Sequence, residues 1–230
     1  MNHFDLLETK RKHVRRYSVD KIPPIEIIEK ALWKAWKTTP SKNNAMAYQV
    51  LVWGPDKILE KEAIHSLCVK NHKDAEDRAV KEGIATLTQR GANNPYYEHI
   101  KLNPYLFTIH SRVSKPNKFY REKIKEGHFF DQGYQSHIER IVDSVAVEVG
   151  IFASNLTNYL LEEDIDIAYN SCFKRRPEEW HKVGLNMIEQ RPILMMTCGY
   201  AQRTKRDDLK RDKKETWDVK PEIDEIVKWI

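Results

Sequence analysis

Glycine is scarce, with 8 in 230 residues. No G-x-G-x-x-G or G-x-x-x-x-G-K stretch occurs, which excludes a glycine-rich nucleotide cradle. Cysteine is scarcer still. Cys68, Cys172 and Cys198 stand far apart with no C-x-x-C spacing. They read as reduced thiols and exclude both a disulfide frame and a cysteine zinc site. No apolar run approaches the ~18 residues of a membrane span. The opening MNHFDLLETKRKHVRR holds no apolar signal core, so the expectation is a cytoplasmic chain that meets no membrane. No repeat and no low-complexity linker is visible. His110, His128, His137 and His181 lack ligand spacing, and no metal is expected.

What is present is enough for a folded domain. Hydrophobic residues make up 40% and charged residues 32%, with aromatics spread along the whole length. A chain of this size suits one compact domain, taken here as residues 1–230. The formal net charge of +5 is unevenly distributed. Lys10–Arg16 reads KRKHVRR, and Arg203–Lys214 reads RTKRDDLKRDKK. Three readings stand for these runs. They are two solvated faces, a nucleic-acid surface, or two distant segments that together hold a small polyanion such as a cofactor phosphate. The nucleic-acid reading is the weakest, because neither run interleaves aromatics and the second carries its own aspartates.

Periodicity predicts a short helix over Phe4–Lys12 and a second opening at Pro23-Pro24, where proline suits the first turn. Ile25, Ile28, Ala31, Leu32 and Ala35 follow helical spacing in it. Further helices are expected over Lys57–Lys70, His72–Arg90 and Pro177–Glu189. Strands are expected at Tyr48–Trp53, Tyr105–Val113, Ile165–Tyr169 and Pro192–Tyr200. Residues 114–133 read as a lid or excursion, and Pro221–Ile230 as an amphipathic tail. The strongest helix runs over Gln135–Leu161. One stripe holds Val142, Val145, Val149, Phe152, Leu156 and Tyr159, and another holds Val147, Ile151 and Ser154. A helix apolar on nearly every side, in a chain this polar, points to an oligomer interface. Strands arrive singly between helices of uneven length, so the fold class is α+β, a small mainly antiparallel sheet flanked by helices.

Four segments, in order along nearly the whole chain, resemble one family. Arg11-Lys12-His13-Val14-Arg15-Arg16-Tyr17 is similar to the R-R-S-x-R-x-F that opens FMN-dependent nitroreductases. Pro23–Tyr48 is similar to their following helix and P-S-x-x-N-x-Q-P-W turn. Ala153-Ser154-Asn155-Leu156 resembles their A-x-N-L helix. Arg191-Pro192 to Gly199-Tyr200 resembles their closing strand with its G-Y. The chain departs from that pattern at His13, at Met46-Ala47-Tyr48 in place of Q-P-W, and at Asn170-Ser171-Cys172-Phe173 in place of a glycine-rich turn.

The resemblance implies a nitroreductase-like fold and FMN as cofactor. It implies Arg11, Lys12 and His13 at the phosphate and ribityl chain. It puts Arg15 at the pyrimidine end, where a cation stabilises the reduced ring and tunes its potential. Pro40, Ser41, Lys42 and Asn44 fall at the cofactor, with Asn44 offering its amide to the pyrimidine edge. Asn170, Ser171 and Cys172 occupy the segment that gives a backbone N–H to flavin N5. Lys210, Arg211 and Lys213 supply the remaining phosphate cations. The aromatics Phe119, Tyr120, Phe129, Phe130 and Tyr134 are either a lid over the flavin or a packed loop.

The implied protein is a homodimer with two interfacial sites. NAD(P)H gives a hydride and leaves, and a small electron-poor acceptor such as a nitroaromatic or quinone then takes the electrons. No side-chain acid–base triad is required, since the flavin carries the chemistry. A non-catalytic flavin-binding relative, or reductive dehalogenation on the same scaffold, is the alternative. A basic interaction protein is the remote one.

Overall fold

The computed structural model describes residues 10, 14, 16–41, 44, 46–83, 98–112, 118–127, 138–202 and 223–227. Strand β2 (Tyr105–Ser111) sets the architecture. Every residue from Tyr105 to His110 is buried, because both faces of the strand are covered. On one side it pairs with β1 (Tyr48–Trp53), Tyr48 opposite Ser111 and Trp53 opposite Leu106. On the other it pairs with β4 (Pro192–Gly199), with a bulge between Ile109 and His110. Edge strand β3 (Asp166–Asn170) completes a four-stranded sheet of order β1-β2-β4-β3, antiparallel at every step.

Period-two alternation sends the apolar side chains of each strand to two cores. Tyr105, Phe107 and Ile109 meet Val145, Val149, Phe152 and Leu156 of helix α5 (Ile138–Glu162), backed by Ile28, Ala31 and Ala35 of α1 (Ile25–Thr38). Leu106, Met195 and Trp53 meet Ile64, Leu67 and Cys68 of α2 (Ile58–Lys81). Ile100 of α3 (Glu98–Leu102) and Trp180 of α6 (Pro177–His181) close that second core. The α+β expectation therefore holds, with helices on both faces of an antiparallel sheet.

Several elements differ in extent from the periodicity. The two helices expected over Lys57–Lys70 and His72–Arg90 are one, Ile58–Lys81. The Lys70–Asp74 ion pair at 3.5 Å and the His72–Glu76 contact at 2.9 Å carry it across the supposed break. Helix α6 stops at His181 instead of Glu189, because Gly184 turns the chain at φ +84°. Within 114–133 a helix, α4 (Lys118–Lys125), is present. The last described element is α7 (Ile223–Ile226). On α5 the first stripe is buried from Val145 to Leu156, with Tyr159 half-buried. The second is not: Val147 is 64% exposed, Ile151 is half-buried and Ser154 is exposed, as is the neighbouring Gly150. The helix expected over Phe4–Lys12 lies outside the described residues apart from Lys10, as do the aromatic side chains proposed for a lid.

Candidate flavin site

β1 and β4 begin at one end of the sheet, where β2 and β3 finish. Two loops meet this front end. The first follows α1. Asn155 on α5 donates from Nδ2 to Thr38 Oγ1 at 3.1 Å and lies 3.4 Å from Thr39 Oγ1, while Thr39 Oγ1 donates to Ala35 O at 2.6 Å. Those bonds fix where α1 ends and Pro40–Asn44 begins. Ser41 then organises the turn. Its carbonyl accepts the Asn44 N–H at 3.0 Å, and its hydroxyl accepts the Met46 N–H at 2.9 Å. Asn44 and Met46 both take left-handed backbone, φ +52° and +45°. Asparagine tolerates that region, whereas in methionine it stores strain of about 1–2 kcal/mol. Arg112 holds the strained residue in place by donating from Nε to Met46 O at 2.6 Å. Its own N–H reaches Ala47 O at 3.0 Å. Beside them Tyr48 packs on Phe152 with ring centroids 5.3 Å apart, and burial pushes its hydroxyl up to about 12.

The second loop follows β3. Asn170 is buried, and its Oδ1 accepts the Cys172 N–H at 2.7 Å, an Asx turn. The Cys172 amide is thereby committed. A ligand taking a backbone donor from this segment would have to find it on a neighbour such as Ser171. Ser171 and Cys172 are exposed, so a ligand can reach them. Arg175 ties the loop down, donating from Nη2 to Ser171 O at 3.1 Å and from Nη1 to Ile193 O at 2.7 Å. The two loops lie on opposite edge strands, three strand spacings or roughly 14 Å apart.

The basic runs leave from the other end. Arg16 O accepts the Gln202 N–H at 3.2 Å, Ser18 N–H donates to Tyr200 O at 2.7 Å, and Tyr17 bridges Ala201. Tyr17 is buried, with its hydroxyl 3.0 Å from Thr197 O and 2.9 Å from Thr197 Oγ1. Burial holds that phenol well above its usual value. Gly199 of the G-Y pair makes this packing possible, since a Cβ there would stand 2.8 Å from the Pro104 ring and 3.0 Å from that of Tyr17. Lys10 anchors the same end through Asp164 Oδ1 at 2.6 Å. The last residue of one run and the residue just before the other are thus hydrogen-bonded to each other. Between this back end and the loops lie the eight residues of β4, roughly 25 Å.

Of the residues singled out by sequence, Pro40, Ser41 and Asn44 share the first loop, and Asn170, Ser171 and Cys172 the second. Arg11, Lys12, His13, Arg15, Lys42, Lys210, Arg211 and Lys213 lie outside the described residues. Sequence reading missed Arg112, Arg175 and Arg191. Nothing local marked them, because the strand pairing alone brings them to the front end. Among the described residues no group of three His, Cys, Asp or Glu is placed to hold a metal ion, and no helix is long and apolar enough to cross a membrane. Cys68 and Cys198 are buried free thiols raised well above the usual range by that burial.

This arrangement of sheet, central helix and loops is the nitroreductase fold. The chain superposes on a Staphylococcus epidermidis structure named as an NAD(P)H:FMN oxidoreductase with TM-score 0.63 and 13% identity, covering 100% of this chain and 96% of that one. A nitroreductase structure from Exiguobacterium sibiricum, in complex with FMN, gives TM-score 0.62 and 12% identity over 100% and 98%. An oxidised iodotyrosine deiodinase bound to FMN and 3-iodo-L-tyrosine gives 0.53 and 21% over 88% and 91%. No protein-family model matches the sequence, and no curated protein does.

Proposed function

We propose that the chain is an FMN-dependent oxidoreductase that works as a homodimer, draws on NAD(P)H and reduces a small electron-poor acceptor in the cytoplasm. The observation that carries this reading is the pairing of Arg16–Ser18 with Tyr200–Gln202. It starts two cation-rich segments from one point, as a doubly charged phosphate requires. The fold, shared with FMN-bound proteins, supports the same reading.

The donor set suits the cofactor. Arg11, Lys12, His13, Lys210, Arg211 and Lys213 would take the phosphate and ribityl chain. Ser41, Lys42 and Asn44 would take the polar edge of the ring, and Arg15 would stabilise its reduced form. When bound, FMN supplies hydride acceptance at N5 and electron release to the acceptor. The chain's own part is to bind and orient. Ser41 and Arg112 hold Asn44 and Met46 in place, and Asn170 and Arg175 hold the Ser171–Cys172 loop.

The front-end loops lie far from the back end where the two basic runs meet at Arg16 and Gln202, which supports a site completed by a second copy. Gly150 supports it too. A mid-helix glycine costs about 1 kcal/mol, and nothing lies within 4 Å of a Cβ added there. No contact among the described residues demands it, whereas a closely approaching partner helix would.

An absorption spectrum of the purified protein, with chromatography of the released chromophore, tests the reading. Bands near ~370 and ~450 nm with FMN released are expected. A colourless protein that takes up no added FMN would defeat it. The likeness to the deiodinase favours one second chemistry, reductive dehalogenation on the same flavin, which a screen of halogenated against nitro aromatics separates.

A further inference from the structure

Three arginines gather at the front end beside the second loop, and the flavin reading uses only Arg175, as the tie that holds that loop. Arg175, Arg176 and Arg191, with Pro177 and Glu178, line an open cavity of about 600 Å³. A second cavity of about 460 Å³ shares Arg175 and Arg176 and reaches Ser171 and Lys174. In that second space the acids are already engaged. Asp74 pairs with Lys174 at 2.5 Å and Lys70 at 3.5 Å, and Glu179 with Lys70 at 3.2 Å and Lys182 at 3.2 Å. The first space is lined by three arginines and a single acid, the exposed Glu178.

Arg175 is held through its side chain, and Arg191 through its backbone. Arg175 lies 5.0 Å over the Phe173 ring and spends two N–H donors on Ile193 O and Ser171 O. A guanidinium has five donors, so three remain. Arg191 is set by the first hydrogen bond between β2 and β4, its carbonyl accepting the Ser111 N–H at 2.9 Å. Burial and the nearby Arg191 charge together lower the pKa of Arg175. Like charges held this close, with donors to spare, favour an oxyanion between them.

We propose that this arginine cavity binds the phosphate or carboxylate of a reactant that exchanges electrons with the flavin. The inference rests on the flavin reading, because Arg175 ties the cavity to the Ser171 loop. Two sources carry that chemistry, the phosphates of a nicotinamide dinucleotide and the carboxylate of an acceptor.

The test uses the holoprotein and Arg176→Gln, Arg191→Gln and the double variant, both arginines being exposed. Arg175 is left in place because it holds backbone carbonyls. Steady-state KM is measured for NADPH, NADH and phosphate-free dihydronicotinamide riboside with menadione, then for nitrobenzoate and nitrobenzene with one donor. In the double variant the KM of an anion-bearing reactant relative to its uncharged counterpart rises at least tenfold, with FMN content retained. A rise for the dinucleotides assigns the site to their phosphates, and a rise for nitrobenzoate assigns it to the acceptor. Ratios within twofold of the parent for every reactant overturn the proposal. Calorimetric binding of inorganic pyrophosphate at low salt decides the cavity without turnover. Affinity should fall at least tenfold in the double variant, and unchanged affinity removes the site. A protein that binds no flavin yet loses pyrophosphate affinity on substitution defeats the flavin reading and keeps the cavity.

Discussion

Thr108 sits between two larger side chains, and its hydroxyl serves both. It accepts the Trp53 Nε1–H at 2.9 Å and lies 2.8 Å from His110 Nε2. The arrangement keeps His110 neutral. Burial depresses its pKa to about 4, against an unperturbed 6.5. Below pH 6.5 the unfolded chain takes a proton that the native chain refuses. Stability is therefore whole above that pH and falls as the solution is acidified towards 4, by up to about 3 kcal/mol. Urea midpoints at pH 7 and pH 5 should show this drop, and His110→Phe should flatten it; an equal drop in the variant assigns the acid lability elsewhere. Thr108→Val strands the buried Trp53 N–H and should cost about 1–3 kcal/mol in urea unfolding at pH 7. At the candidate site, Ser41→Ala removes the acceptor for the Met46 N–H. It should weaken FMN binding about tenfold by fluorescence titration while changing the thermal midpoint little, because Ser41 and Met46 are only half-buried.

At the scale of elements, α5 makes the sharpest claim. Gly150→Ala adds helix propensity and meets open space in one chain, so the monomer should gain up to about 1 kcal/mol. The same methyl should weaken the dimer, seen as a lower apparent mass in dilute light scattering; a dimer as tight as the parent places the interface off this stripe. Gly199→Ala should cost about 1–3 kcal/mol in thermal unfolding by driving Tyr17 off Thr197. Much of this layer was legible in the sequence. Tyr48–Trp53 is a strand at the expected residues, and the Val145–Leu156 stripe is the buried one. Helix α2 was misread because its polar surface is continuous, and side-chain pairs rather than an apolar stripe carry it past Asn71. The Ser41 and Asn170 loops were legible through the family resemblance. The arginine cavity was not, since Arg175 and Arg191 meet only through β3 and β4 pairing, and Arg112 meets Met46 only through β1 and β2.

For the whole molecule, the sheet separates what a flavin site needs. Cation-rich segments leave one end beside Arg16 and Gln202, and the shaped loops stand at the other. A second copy packed along Val147, Gly150 and Ser154 can bring one chain's loops to its partner's cations, and the account predicts that flavin binding and dimerisation stand together. Native mass spectrometry of the protein saturated with FMN tests this directly. The account predicts one dominant species of two 27.2 kDa chains carrying two FMN, with flavin lost wherever the dimer is split. A monomer that holds FMN, or a dimer that holds none, would contradict it.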